Sequence, residues 1–291
     1  MTKETVLVIG LGEIGRTIFE LLKENEDKFT VYGLDLDPAK MSALGLTDSK
    51  LPKRVDTIHV CLPCSNRDVF TKATINYAKQ FKPKLIIINS TVPPGTTMEV
   101  FSQSKCHVAH SPSRGVHRSP EYMKWEMKRW TKYVGGADRK SAIATSKHFE
   151  KMNLKVKTLK SCKETELAKL FETTYRAWMV ACFQEMHRIS RKFGADFDET
   201  VDFLEDTHRI RFDRPIMFPG PIGGHCLIPN TELLLGVYDS DFLCLILSSN
   251  QKRKEEMKDK QIVAEVEKVK KRVEDVQEEL MKSGTPPPES C

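Results

Sequence analysis

Through its first half the chain alternates short β-branched runs with segments whose apolar residues recur at helical spacing, the pattern of a parallel sheet built from strand–helix–strand units. The strands it predicts are Thr5 to Ile9, Phe29 to Leu34, Thr57 to Leu62, Lys84 to Asn89, His107 to His110, Lys132 to Val134 and Leu154 to Thr158. Together they make an α/β, doubly wound parallel sheet ending near residue 160.

From Lys163 the pattern changes. Leu167, Leu170, Phe171, Tyr175, Trp178, Cys182, Met186, Ile189 and Phe193 recur every three or four residues until Gly194, which predicts one helix of roughly 45 Å at ~1.5 Å per residue. Trp178, Phe171 and Phe183 fall on different faces of it, more apolar surface than one small domain covers, so a second copy of the chain is expected there. Further helices follow, broken by the loop Phe218-Pro219-Gly220-Pro221-Ile222-Gly223-Gly224-His225-Cys226. Ile262, Val266, Val269, Val273, Val276 and Leu280 then alternate spacings of four and three. That seam is read either as a solvated amphipathic helix or as a paired coiled coil, with Glu265 opposite a partner's Lys270 and a surface for a partner protein. Ser283 to Cys291 reads as a disordered end. The boundaries drawn are 1–160 for the sheet domain, 161–250 for an all-helical second domain with a long dimerisation helix, and 251–291 for the charged helix and tail.

The net charge of +6 comes from 46 basic residues interleaved with 40 acidic ones. A mixed surface of that kind argues against nucleic acid. No apolar stretch approaches the ~20 residues that cross a bilayer, so no membrane is expected, and the N-terminus reads as a first strand and not as a signal peptide. The eight cysteines are scattered, which fits reduced thiols and a cytoplasmic location. Cys61 and Cys64 form a CxxC, but neither they nor His59, His107, His110 and His117 have metal-ligand spacing, so no metal is expected.

Gly10-Leu11-Gly12-Glu13-Ile14-Gly15 follows the first strand directly and opens a helix, and Asp35 stands at the end of the second strand. In that context the turn reads as the dinucleotide fingerprint of a Rossmann-type domain. Gly10 permits the tight turn, Gly12 leaves room for a pyrophosphate, and Gly15 lets helix and strand approach. Asp35 accepts ribose hydroxyls and repels a 2′-phosphate, which favours NAD over NADP.

With those blocks in place, the chain from about residue 5 to 250 resembles the UDP-glucose/GDP-mannose dehydrogenase family. The resemblance rests on VIGLGEIG; Asp35 with Lys40 after it; Val55 to Pro63; Asn89 to Thr97; Val134-Gly135-Gly136; Glu166 to Leu170; and, most specifically, PGPIGGHC. Family members carry a Rossmann domain, a helical dimerisation domain and a nucleotide-sugar-binding domain. They oxidise a primary alcohol of a sugar to a carboxylate with two NAD, through a thioester on the cysteine of the GGxC loop. The resemblance therefore implies an NAD-dependent oxidoreductase acting on a CH–OH group of a sugar-type substrate, and a homodimer. It makes Cys226 the nucleophile, Lys169 the stabiliser of oxyanions, and Thr91 a neighbour of nicotinamide and substrate. It adds Glu13, Ile14, Lys40, Pro63 and Thr91 to the cofactor contacts, and Gly223, Gly224, His225, Thr173 and Asn230 to those of the substrate. The residue chemistry agrees: a thiolate adds readily to an aldehyde, and a nearby ammonium steadies negative oxygen.

Three positions depart from the family pattern. Ser113 stands where a glutamate tied to the hydrolytic half-reaction is expected, Thr173 replaces an asparagine, and Asn230 an aspartate. Two of these changes remove carboxylates that would help a water attack the thioester, and a neutral serine or asparagine cannot serve as a general base. Hydride transfer is therefore expected to survive, while complete four-electron oxidation is put in doubt. After about residue 250 the strand–helix alternation stops, so the usual nucleotide-diphosphate pocket is not made by this chain alone. Two other readings stay open: a two-electron dehydrogenase of a smaller hydroxy acid or alcohol, and an NAD-binding scaffold whose active site has decayed.

Overall fold

The computed structural model describes residues 2–46, 51–115, 119–211 and 213–282, and side chains as far as residue 279. His117, the side chain of Leu280 and the tail from Ser283 to Cys291 lie outside the described residues. The chain divides into two compact units, Met1–Leu170 and Phe171–Cys291.

The first unit runs β1 (Glu4–Ile9), α1 (Glu13–Lys23), β2 (Phe29–Leu34), α2 (Pro38–Ser42), β3 (Thr57–Val60), α3 (Arg67–Phe81), β4 (Leu85–Ile88), α4 (Thr96–Ser104), β5 (His107–His110), α5 (Pro120–Arg129), β6 (Lys132–Gly136), α6 (Arg139–Lys151), β7 (Val156–Thr158) and the start of α7 (Cys162–Lys192). The sheet order is β2-β1-β3-β4-β5-β6-β7. Both faces are covered, so the strands are apolar on both sides: Val6 and Val8 belong to one core, Leu7 and Ile9 to the other, and Ile87 is likewise set against Ile86 and Ile88. Burial on two faces is what an almost continuously apolar strand means.

β1 to β5 are parallel, but β6 runs antiparallel to β5, pairing His110 with Gly135, and β7 follows β6 in parallel. The expected doubly wound parallel sheet is present, with one departure at the β5–β6 pairing. Apolar alternation carries no direction, so the reversal was not legible in it. Its consequence is local: Lys132, the first residue of β6, lies past the carboxyl end of β5.

The second unit contains the rest of α7, then α8 (Phe197–Arg211), α9 (Leu227–Leu235), α10 (Asp241–Glu256) and α11 (Lys260–Lys282). Gly194, at φ +69°, ends α7 in the left-handed conformation that glycine tolerates. Phe183, Phe197, Val201, Leu243 and Ile246 form part of its buried interior. Arg253 is wholly buried and donates to the Gln184 carbonyl at 2.9 Å, with His187 Nδ1 3.2 Å away.

The C-terminal heptads do not make an open seam. Val266, Val269, Val273 and Val276 are 0–5% exposed within their own chain. Arg272 binds Asp198, Asp202 and Glu205 of α8 at 2.6–3.0 Å. Glu265, expected to face a partner's Lys270, instead receives Arg191 at 2.8 Å and lies 2.9 Å from His187 Nε2. A heptad stripe is apolar wherever it is covered, and here the cover is intramolecular. Trp178 likewise packs in its own unit, its ring centroid 4.2 Å from that of Phe242.

Candidate active site

β1 delivers the chain to Gly10, whose φ of +84° puts it where side chains are strained. A Cβ there would lie 2.7 Å from the Cys61 carbonyl oxygen, and one on Gly15 would lie 1.7 Å from the Gly10 carbonyl oxygen. Both positions are therefore closed to a side chain. Gly12, the N-cap of α1, differs: a Cβ there meets nothing within 4 Å. Open space in front of the free amides of a helix N-terminus is what a pyrophosphate requires. Glu13 and Ile14 are the first residues of α1, and Ile14 leans on the core beneath.

Asp35 follows β2 and reaches back to this turn, its Oδ2 accepting from Leu11 N at 2.6 Å and its Oδ1 from Asp37 N at 2.9 Å. Lys40 Nζ stands 3.7 Å from Asp35 Oδ2. Each carboxylate oxygen keeps a second lone pair for a ribose hydroxyl. The turn, Asp35 and Lys40 are thus one constellation, and it fits a dinucleotide. Pro63 is exposed in the loop after β3.

At the carboxyl end of β4, Thr91 is half-buried in a loop that is fixed from two sides. His110 Nε2 donates to the Ser90 carbonyl at 3.0 Å, and its Nδ1 lies 2.9 Å from Thr165 Oγ1. Burial pushes His110 down to about 3, so the ring is neutral. From α7, the buried Glu166 accepts from Gly95 N at 2.7 Å, Thr97 N at 2.8 Å and the Thr97 hydroxyl at 2.6 Å. It caps α4, whose own N-cap, Gly95, has no side chain to do so. Burial raises the Glu166 carboxyl against those hydrogen bonds. Lys169, half-buried, sits one turn further along the same helix. The loop of Thr91 and the helix of Lys169 are held together by this carboxylate.

A buried polar chain beneath the sheet's carboxyl edge was missed in the sequence. Asn89 Nδ2 lies 3.1 Å from His59 Nδ1, His59 Nε2 lies 2.8 Å from His148 Nε2, and His148 Nδ1 lies 2.7 Å from Glu4 Oε1. One assignment satisfies every contact: Asn89 donates to His59, His59 to His148, and His148 to the Glu4 carboxylate. Burial first, then His148 and Lys132, holds His59 well below the usual imidazole range. Glu4 is raised by burial but lowered further by its bonds from His148, Lys151 and Thr57, which leave it well below the usual carboxylate range. His59 and His148 are far apart in sequence, so no local spacing announces them. Burial also pushes the CxxC thiols up, Cys61 to about 12 and Cys64 to about 11.

In the second unit, the loop ending PGPIGGHC leads into α9, with Gly223, Gly224 and His225 exposed and Cys226 half-buried as the helix N-cap. Gly224 has φ +78°. Cys226 Sγ lies 3.1 Å from His225 Nδ1. A sulfur at a helix N-terminus, beside an imidazole, is placed where negative charge is stabilised. One turn into α9 the buried Asn230 donates from Nδ2 to Thr173 Oγ1 at 3.2 Å. Two of the three departures from the family pattern are thus partners of each other.

Residues 163–250 match the model of the central domain of the UDP-glucose/GDP-mannose dehydrogenase family. The chain is similar to a UDP-N-acetyl-D-mannosamine dehydrogenase of Methanocaldococcus jannaschii, 28% identical over an alignment of 261 residues, with 76% of this chain and 59% of that protein covered. It therefore spans less than two thirds of the length of this relative. In structure it is similar to a UDP-D-ManNAc dehydrogenase of Pyrococcus horikoshii, with a TM-score of 0.69, 22% identity, and coverage of 86% of this chain and 68% of the other. A Mycobacterium tuberculosis 3-hydroxyisobutyrate dehydrogenase shares the fold at a TM-score of 0.66 and 16% identity, covering 89% of this chain and 95% of that one. The central-domain match encloses both the PGPIGGHC loop and Lys169, and it makes this stretch of the chain similar to the UDP-glucose/GDP-mannose dehydrogenase family.

Proposed function

We propose that this chain is an NAD-dependent dehydrogenase that oxidises a primary alcohol of a nucleotide-sugar substrate through a covalent adduct on Cys226. The observation that carries the reading is the central-domain match over 163–250, a range that includes Cys226 and Lys169. The open cradle in front of Gly12, with Asp35 tied to the same turn, supports NAD as the cofactor.

In this reading the amides at the start of α1 hold the pyrophosphate and Asp35 takes the adenosine ribose. NAD, when bound, would supply the hydride acceptor. Lys169 steadies the oxygen that gains charge. The Cys226 thiolate adds to the aldehyde, and the hemithioacetal loses a second hydride to become a thioester, which water opens to carboxylate and free thiol. The α7 surface bearing Phe171 and Tyr175, 54% and 62% exposed, is assigned to a second copy of the chain.

The test is NADH formation over UDP-N-acetyl-D-mannosamine, which the curated relatives are named for, other UDP- and GDP-sugars, and small hydroxy acids. Two NADH per substrate with UDP-N-acetyl-D-mannosamine, falling to one or none in Cys226→Ser, is the expected result. One NADH from a small hydroxy acid, unchanged in Cys226→Ser, would support instead the two-electron reading. That second reading is favoured by one observation: the 3-hydroxyisobutyrate dehydrogenase fold is covered over 95% of its length.

A further inference from the structure

Ser113 and Lys132 are buried together at the carboxyl edge of the sheet. The antiparallel register that pairs residue 109 with 136 and 110 with 135 continues to set 113 opposite 132. Lys132 Nζ lies 3.1 Å from Ser113 Oγ and 3.2 Å from the Pro112 carbonyl oxygen, and 5.3 Å from the centre of the Phe149 ring. Among the described residues no carboxylate pairs with it. The groups that face it are His59 in β3, Cys61 just after it, His110 in β5, Arg114, and Lys169 on α7. Burial, opposed by Cys61 and aided by repulsion from Lys169 and Arg114, brings the Lys132 amine down to about 7. A neutral amine has two donors and one lone pair, and this site offers one acceptor, Pro112 O, and one hydroxyl donor, Ser113. The turn at Gly10, the Thr91 loop and Ser113 follow carboxyl ends of parallel strands, and Lys132, at the start of the antiparallel β6, comes to the same edge, where such sheets bind their ligands.

We propose that the Ser113–Lys132 pair is the proton acceptor for alcohol oxidation, with Lys132 acting through the Ser113 hydroxyl. The inference rests on the dehydrogenase reading above. The substrate O–H bond breaks and its proton passes to Ser113 Oγ, while the hydroxyl proton of Ser113 passes to Lys132 Nζ. NAD, when bound, would take the C–H electron pair as hydride, which balances the oxidation of the alcohol, and Lys132 becomes an ammonium that later returns its proton to water. Ser113 makes the contact, and Lys132 is a positioning residue that sets its basicity. This gives the serine at 113 a base it lacks alone.

Two measurements test it. The Lys132 amine, followed by carbon and nitrogen NMR and assigned with Lys132→Arg, is expected to titrate near 7; a midpoint above 9 overturns the proposal whatever the activity. The base must be neutral, so kcat/KM for NADH formation is expected to rise with pH through about 7. Lys132→Met and Ser113→Ala are each expected to lose that limb and about 10²-fold in kcat/KM. Circular dichroism and NAD affinity establish that the variants are folded. An active wild type whose acid limb persists in folded Lys132→Met overturns this role alone, whereas a wild type that makes no NADH overturns it together with the dehydrogenase reading.

Discussion

Asn230 donates its side-chain amide to Thr173 Oγ1, both residues being buried. Where the family that the chain resembles carries an asparagine and an aspartate, a threonine and an asparagine here satisfy each other without charge. The two positions are therefore expected to behave as a unit. Asn230→Asp alone places a carboxylate in a buried site with one hydroxyl to receive it, and should cost about 1–3 kcal/mol. Adding Thr173→Asn should recover at least ~1 kcal/mol of that. Urea unfolding of the four proteins decides: additive costs would mean that the contact is incidental.

Gly12 and Gly15 separate binding from folding. Gly12→Val puts its side chain into open space, so stability without cofactor should stay within about 0.5 kcal/mol of wild type. NAD affinity should fall at least about tenfold, the equivalent of ~1.4 kcal/mol. Gly15→Ala forces a Cβ onto the Gly10 carbonyl and should unfold more easily even without NAD. Calorimetry and thermal unfolding of both variants check this; a Gly12→Val protein with unchanged NAD affinity would place the pyrophosphate elsewhere.

Acid should weaken the first unit in two stages. His59 and His110 are held neutral by burial with depressed pKa values, so the unfolded chain takes up protons below about 6.5 that the folded chain refuses. Stability from these groups is present above that pH and is lost as pH falls. Glu4, depressed by its bonds from His148, Lys151 and Thr57 in spite of burial, adds a second loss below about 4.3. Denaturant midpoints of the wild type should thus fall from pH 7 to 5 and more steeply below 4.5. His59→Leu should be less stable at pH 7 yet fall less between 7 and 5; a wild type that is level over that range would refute the buried neutral histidines.

Which features the sequence disclosed follows from their range. The glycine turn, Asp35 and the α7 periodicity are local patterns, and the structure places each as a local pattern must. The strand reversal at β6, the Asn89–His59–His148–Glu4 chain and the Ser113–Lys132 pair join residues through tertiary contacts, and His59 read alone is an ordinary strand residue. The valine stripe of α11 was visible as apolar, but periodicity names no partner.

That stripe supplies the remaining prediction. Val269 is wholly buried, between Val266 and Val273 on the covered face of α11, and the ion pairs of Arg272 and Glu265 clamp the helix to α8 and the end of α7. Val269→Asp should then cost about 3–5 kcal/mol, as a charge in an apolar interior does. The loss should appear as a lower urea midpoint of the second unit. Below that midpoint, light scattering should return the wild-type mass, because the stripe is filled by the chain itself. Had α11 paired with a copy of itself, the same substitution would leave each chain folded and halve the mass. Truncation after Asn250 sharpens the contrast: it removes the helix that packs on α8, so the shortened chain should lose cooperative unfolding and bind a hydrophobic dye, whereas a well-folded truncated protein would show that α11 is an appendage after all.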